Sequence, residues 1–125
     1  MCQFTDRFYS AVRRLAGDGT VKQRLLAAYI ENLEMLPEAE VPESIRPRLE
    51  TLRQAMHAVK PLRGESPAAA SVRKMSPADA TRHAGAIVAM FSELVRVKAT
   101  GERLGSSKNG DSDTISGGPP RASLN

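Results

Sequence analysis

The chain has 125 residues, 41% hydrophobic and 26% charged, with 18 Lys and Arg against 14 Asp and Glu for a formal net charge of +4. That length supports one domain with a modest core, and a 4% aromatic content without tryptophan makes it a core of Leu, Ala, Val and Met, a composition that favours helices. The single cysteine, Cys2, excludes an intramolecular disulfide or a cysteine-built metal site, and Asp6, Arg7, Arg13 and Arg14 break any secretory or membrane-spanning run at the N-terminus, so the expected setting is a reducing cytoplasm, with no membrane.

In chain order, Phe4, Phe8, Val12 and Leu15 recur at spacings of four, four and three, which predicts a first amphipathic helix. "AGDGT" ends it, with Gly17 as the residue suited to a left-handed stop and Asp18-Gly19 as turn chemistry. Thr20 and Gln23 form a capping-box pair that opens a second helix. Its stripe is Val21, Leu25, Ala28, Tyr29, Leu33 and Leu36, and Pro37 closes it. "PEAEVPE" reads as an acidic connector, a solvated loop with a docking patch for a basic partner as its alternative. A third helix starts near Ser44, because Pro47 is tolerated only in a first turn, and carries Ile45, Leu49, Leu52, Met56 and Val59 up to Pro61.

The fourth helix has the fullest start signal: Ser76 as N-cap, Pro77 at the first helical position and Asp79 near the positive end of the dipole. A wide stripe of Ala80, Ala84, Ile87, Val88, Phe91, Leu94 and Val95 follows, with Gly85 in its middle, a residue suited to a close helix crossing. The fold expected is therefore all-α, a small four-helix bundle over residues 1–100. Residues 101–125, rich in Gly and Ser, predict a disordered tail. Its "DSD" lacks the Gly and Glu positions of a calcium loop.

Between Pro61 and Met75 the chain "PLRGESPAAASVRKM" is longer than linkers in small bundles, which run about two to eight residues. Either a short helix or extended piece lays Val72 and Met75 on the bundle, or the segment is a binding loop. Arg73 and Lys74 stand just before the Ser76 cap, and with Arg63 they define a candidate anion- or partner-binding group of Arg63, Arg73, Lys74 and Ser76. A helix N-terminus beside two cations suits an oxyanion, but Asp79 already places a carboxylate there, so capping is the simpler reading.

Charge is uneven along the chain. Six of the fourteen acids lie within residues 31–50, whereas Arg53, Lys60, Arg63, Arg73 and Lys74 face Glu65 alone over residues 53–74. Head-to-tail association of acidic and basic ends is one consequence to consider. A nucleic-acid reading would use the first two helices as a helix-turn-helix with Lys22, Gln23 and Arg24 opening the recognition helix; Glu31 and Glu34 on that helix oppose it. His57 and His83 fall on different helices, His57 faces away from its helix's apolar stripe, and both read as exposed, ordinary histidines; no phosphate loop, nucleophile elbow or metal-ligand spacing is present, so neither an enzyme, a cofactor nor a metal is expected. The functional expectation is a non-enzymatic interaction or regulatory module with a protein partner, and weak nucleic-acid binding is the alternative.

Overall fold

A computed structural model describes the backbone of residues 3–100 and the side chains of residues 4–96. α1 spans Gln3–Leu15 and turns Phe8, Ala11 and Leu15 inward. It tightens as it ends, with Gly17 N donating to Arg14 O, and the positive φ of the turn falls on Gly19 and not on Gly17. α2 spans Val21–Ala28 behind the expected capping box: Gln23 N donates to Thr20 Oγ1 at 3.1 Å and Thr20 N to Gln23 Oε1 at 2.9 Å.

The second helix does not continue regularly to Leu36. After Ala28 the chain makes a π-helical turn over Tyr29–Leu33, closed by Glu34 N on Tyr29 O at 2.8 Å. Such a turn takes in one more residue than an α turn and re-phases the face that follows. Tyr29, Leu33 and Leu36 are thereby all buried. A 3₁₀ turn over Glu38–Glu40 then leads to the buried Val41.

α3 spans Arg46–Met56, with Pro47 in its first turn as expected and Ile45, Leu49, Leu52 and Met56 buried. It stops earlier than Pro61, because His57 leaves helical geometry at φ −128° and ψ 17°. The connector contains a fifth helix, α4, Pro67–Lys74, and α5 spans Pro77–Thr100. α1 packs on α2 and its π turn, and α4 packs on α2 and α3. The fold is all-α: no strand occurs among the described residues, and none of their helices is long and apolar enough to cross a membrane. The expected tail, residues 101–125, lies outside the described residues.

Contacts divide the chain into two units, Met1–Ser92 and Glu93–Asn125, so α5 begins in the first and runs into the second. Within the first unit α5 buries Ala80, Ile87 and Met90. Its expected stripe is only half covered. Val88 is 44% exposed and Val95 43%, and Ala84 and Phe91 are half-buried, because each step of about 100° along a helix carries the far edge of a wide stripe out of the packed arc.

Candidate interaction surface

The segment between α3 and α5 is fastened to α4 at two points. Ser66 caps α4 by accepting from Ala69 N at 3.1 Å, and Pro67 occupies its first turn. Ala68, Ala70, Ser71 and Val72 are buried. Ser71 is a polar side chain in that packed face, and it is satisfied on both sides: its Oγ donates to Pro67 O at 2.9 Å and accepts from Val59 N at 3.1 Å. The second fastening is Glu65. Its Oε2 accepts from Arg73 Nε at 2.7 Å, and its Oε1 accepts from Arg73 Nη2 at 3.1 Å and from Leu62 N at 3.0 Å. Glu65 N closes the turn on Leu62 O at 2.9 Å, and Gly64 supplies the positive φ of 77° that the turn requires.

This loop presents Lys60, Leu62 and Arg63 to solvent, with Leu62 63% exposed. Of the four candidate partner-binding residues, Arg63 and Lys74 are exposed and make no hydrogen bond or ion pair among the described residues. Arg73 is different. Its guanidinium fork grips Glu65, and that hydrogen bond, seconded by the Leu62 N–H, holds the Glu65 carboxyl below the usual range. Ser76 is exposed and caps α5, accepting from Asp79 N at 3.0 Å. Asp79 in turn pairs with Arg82 at 2.8 Å, and Arg82 followed by Ser76 lowers its pKa. The chain's own carboxylate thus occupies the start of α5.

Lys22, Gln23 and Arg24 are engaged within the chain. Lys22 Nζ donates to Arg73 O at 3.0 Å, which brings it to the end of α4 beside the partner-binding group. Gln23 completes the capping box, and Arg24 donates to Leu15 O at 2.7 Å and Gly19 O at 3.0 Å. Two further arginines do the same kind of work on α3. Arg46 donates to the carbonyls of Glu38, Val41 and Ala39 at 3.0, 2.9 and 3.2 Å, and Arg53 to Leu33 O at 2.9 Å and to Leu36 O. Each brings a charged donor to carbonyls at the end of a helix or turn, two of which, Glu38 O and Leu33 O, also accept a backbone N–H. A large share of the basic excess therefore caps backbone. Charge counting misses this, but the spacing of Arg46 and Arg53, two turns apart on one helix and following the acidic turn, is a readable signal.

Arg53 Nη1 also reaches Glu38 Oε2 at 3.3 Å, so the acidic connector is a pinned turn and not a free loop. Glu38 and Glu50 interact, and the Glu38 hydrogen bond pushes the Glu50 carboxyl up while Glu38 itself is lowered. His57 is exposed, as expected, and it is also hydrogen-bonded. Its exposed ring carries Nε2 3.0 Å from the buried Tyr29 hydroxyl, whose pKa burial raises and the Arg53 charge opposes. His83 is half-buried, and desolvation followed by Arg82 lowers its pKa. A polar cleft of about 330 Å³ lies among Ser10, Arg13, Arg14, Glu31 and Asn32, with Arg14 and Glu31 4.0 Å apart. Among the described residues no three His, Cys, Asp or Glu are grouped to hold a metal ion. Comparison with protein families, curated proteins and solved structures found no match.

Proposed function

We propose that this protein is a non-enzymatic binding module of the cytoplasm that docks an acidic, apolar-bearing segment of a partner protein on the turn Leu62–Glu65 and the adjoining end of α4. The observation that carries the reading is Leu62, 63% exposed between exposed Lys60 and Arg63 on a loop pinned at Val59 and Glu65. An apolar side chain rimmed by cations has the anatomy of a protein interface. Because the loop is held already, little ordering cost is left for binding. Duplex recognition would call on Lys22 and Arg24, whose polar atoms serve carbonyls of the chain.

The test is an NMR titration of ¹⁵N-labelled protein at physiological salt with Asp/Glu-rich peptides that contain one Leu or Phe, run beside mixed-sequence duplex DNA. Peptide-induced shifts confined to residues 60–65 and 73–75, weakened about tenfold by Arg63→Glu and reduced by Leu62→Ser, are the expected result. Shifts elsewhere, or preferential binding of DNA that falls steeply with salt, would overturn the reading.

A further inference from the structure

The cleft of about 330 Å³ between the end of α1 and the π turn lies within the first unit, and its two walls are opposite in charge. Ser10, Arg13 and Arg14, spaced three and four apart, share one face of α1. Glu31 and Asn32 come from the π turn. In a regular α-helix Asn32, seven residues after the buried Leu25, would fall nearly in line with it. The extra residue taken in by the π turn leaves Leu33 buried and brings Asn32, half-buried, beside the exposed Glu31. The turn thereby sets a carboxylate and an amide across the cleft from two guanidinium groups.

These groups keep most of their hydrogen-bonding capacity. Arg13 lies over the Tyr9 ring, 6.0 Å from its centre, and makes no hydrogen bond or ion pair among the described residues. Arg14 is 3.5 Å from Asp18 O and 4.0 Å from Glu31 Oε1, both well beyond a charge-assisted hydrogen bond of about 2.8 Å. The Ser10 hydroxyl has no partner among the described residues. Asn32 spends its Nδ2 on Ala28 O at 3.2 Å, which leaves its Oδ1 as an acceptor. Arg13 and Arg14 thus stand apart from Arg24, Arg46 and Arg53, which are committed to backbone carbonyls. A simple anion in this cleft would meet Glu31, and a simple cation would meet the two arginines. A molecule that carries a carboxylate and an ammonium side by side matches both walls. At about 30 Å³ for a water-sized group, the space holds about ten such groups, the size of a small amino acid.

We propose that the cleft between α1 and the π turn binds a free α-amino acid with a small polar side chain, its carboxylate on Arg13 and Arg14, its ammonium on Glu31 and Asn32 Oδ1, and its side chain toward Ser10. The ligand fills the gap that the long Arg14–Glu31 approach leaves open. This site is separate from the Leu62–Glu65 turn, so binding at one does not depend on binding at the other.

Titration of the ¹⁵N-labelled full chain with L-serine, followed on backbone amides and arginine Nε–H signals, tests this. Saturable shifts at residues 10–14 and 31–32, with residues 60–65 unmoved, are the expected result. The methyl ester and the N-acetyl derivative of L-serine each lack one charge of the zwitterion and should bind about tenfold more weakly. L-serine itself should bind about tenfold more weakly to Arg13→Gln and to Glu31→Gln. Both changes fall at exposed sites and should leave the helical circular dichroism spectrum unchanged. The assignment is overturned by an absence of saturable shifts with L-serine, L-asparagine and glycine at about 10 mM, or by undiminished affinity in Glu31→Gln. Acetate or inorganic phosphate binding as tightly as L-serine would overturn it too, in favour of a plain anion site.

Discussion

Arg53 Nη2 donates to Leu33 O at 2.9 Å, and so a side chain of α3 closes the end of the π turn that follows α2. The same guanidinium reaches Leu36 O and Glu38. With its side chain only 18% exposed, it is the connection between the second helix, the acidic turn and the third. Arg53→Met should lower stability by about 2–4 kcal/mol, because several carbonyls lose a charged donor at once. Arg53→Lys should recover only a minor part, since one ammonium cannot span acceptors that a planar fork reaches. Urea unfolding followed by circular dichroism checks both.

Tyr29 gives a smaller and cleaner test. Its hydroxyl is hydrogen-bonded to His57 Nε2 at 3.0 Å while its ring is buried, so Tyr29→Phe removes the bond and keeps the packing. The expected loss is about 1 kcal/mol. His57→Ala should cost at least as much, because it leaves the tyrosine hydroxyl without its partner. Thermal unfolding of the two variants decides the order.

Glu65 and Glu50 make opposite predictions in pH. The Glu65 pKa is depressed by Arg73 and by the Leu62 N–H. The folded state then binds that proton less readily than the unfolded chain, so the stability from Glu65 is present above the unfolded carboxylate range, about pH 4, and is lost as pH falls through the folded value. The Glu50 pKa is raised, chiefly by its hydrogen bond with Glu38. Its favourable contribution exists at low pH and disappears as pH rises through that raised value. At neutral pH, Glu65→Gln should therefore lower the urea midpoint and Glu50→Gln should raise it. Both differences should shrink when the measurement is repeated near pH 3.

Gly85 offers a test of helix propensity alone. With open space where its Cβ would stand and no positive φ, Gly85→Ala should stabilise the monomer by about 0.5–1 kcal/mol. A longer side chain at that position, as in Gly85→Leu, should also leave the fold intact, because a Cβ there meets nothing within 4 Å. Thermal unfolding followed by circular dichroism checks both.

Much of the helix content was legible in residue spacing and punctuation: Thr20 with Gln23, Ser76 with Pro77, and the stripes of α1 and α3 all mark elements that form. The same Ser-Pro signature at Ser66-Pro67 announces α4, but an eight-residue helix with an alanine-rich face has too little apolar periodicity to stand out. The candidate residues Arg63, Arg73, Lys74 and Ser76 were visible as types, whereas their separate employments were not. Glu65 lies eight residues before Arg73, and Lys22 lies 51 before it, separations at which no local rule operates.

The sequence by itself determined that the chain would be helical, where most of its helices would begin, and that its net charge would be positive, because these depend on composition and on interactions within one or two turns. Only the tertiary structure decided which cations are taken up by carbonyls, which half of the α5 stripe faces solvent, and that Leu62 projects from a pinned turn. Those outcomes depend on which ends and faces meet across the chain. A backbone acceptor is offered by every residue alike, so no pattern of side-chain types reveals which carbonyl an arginine will find.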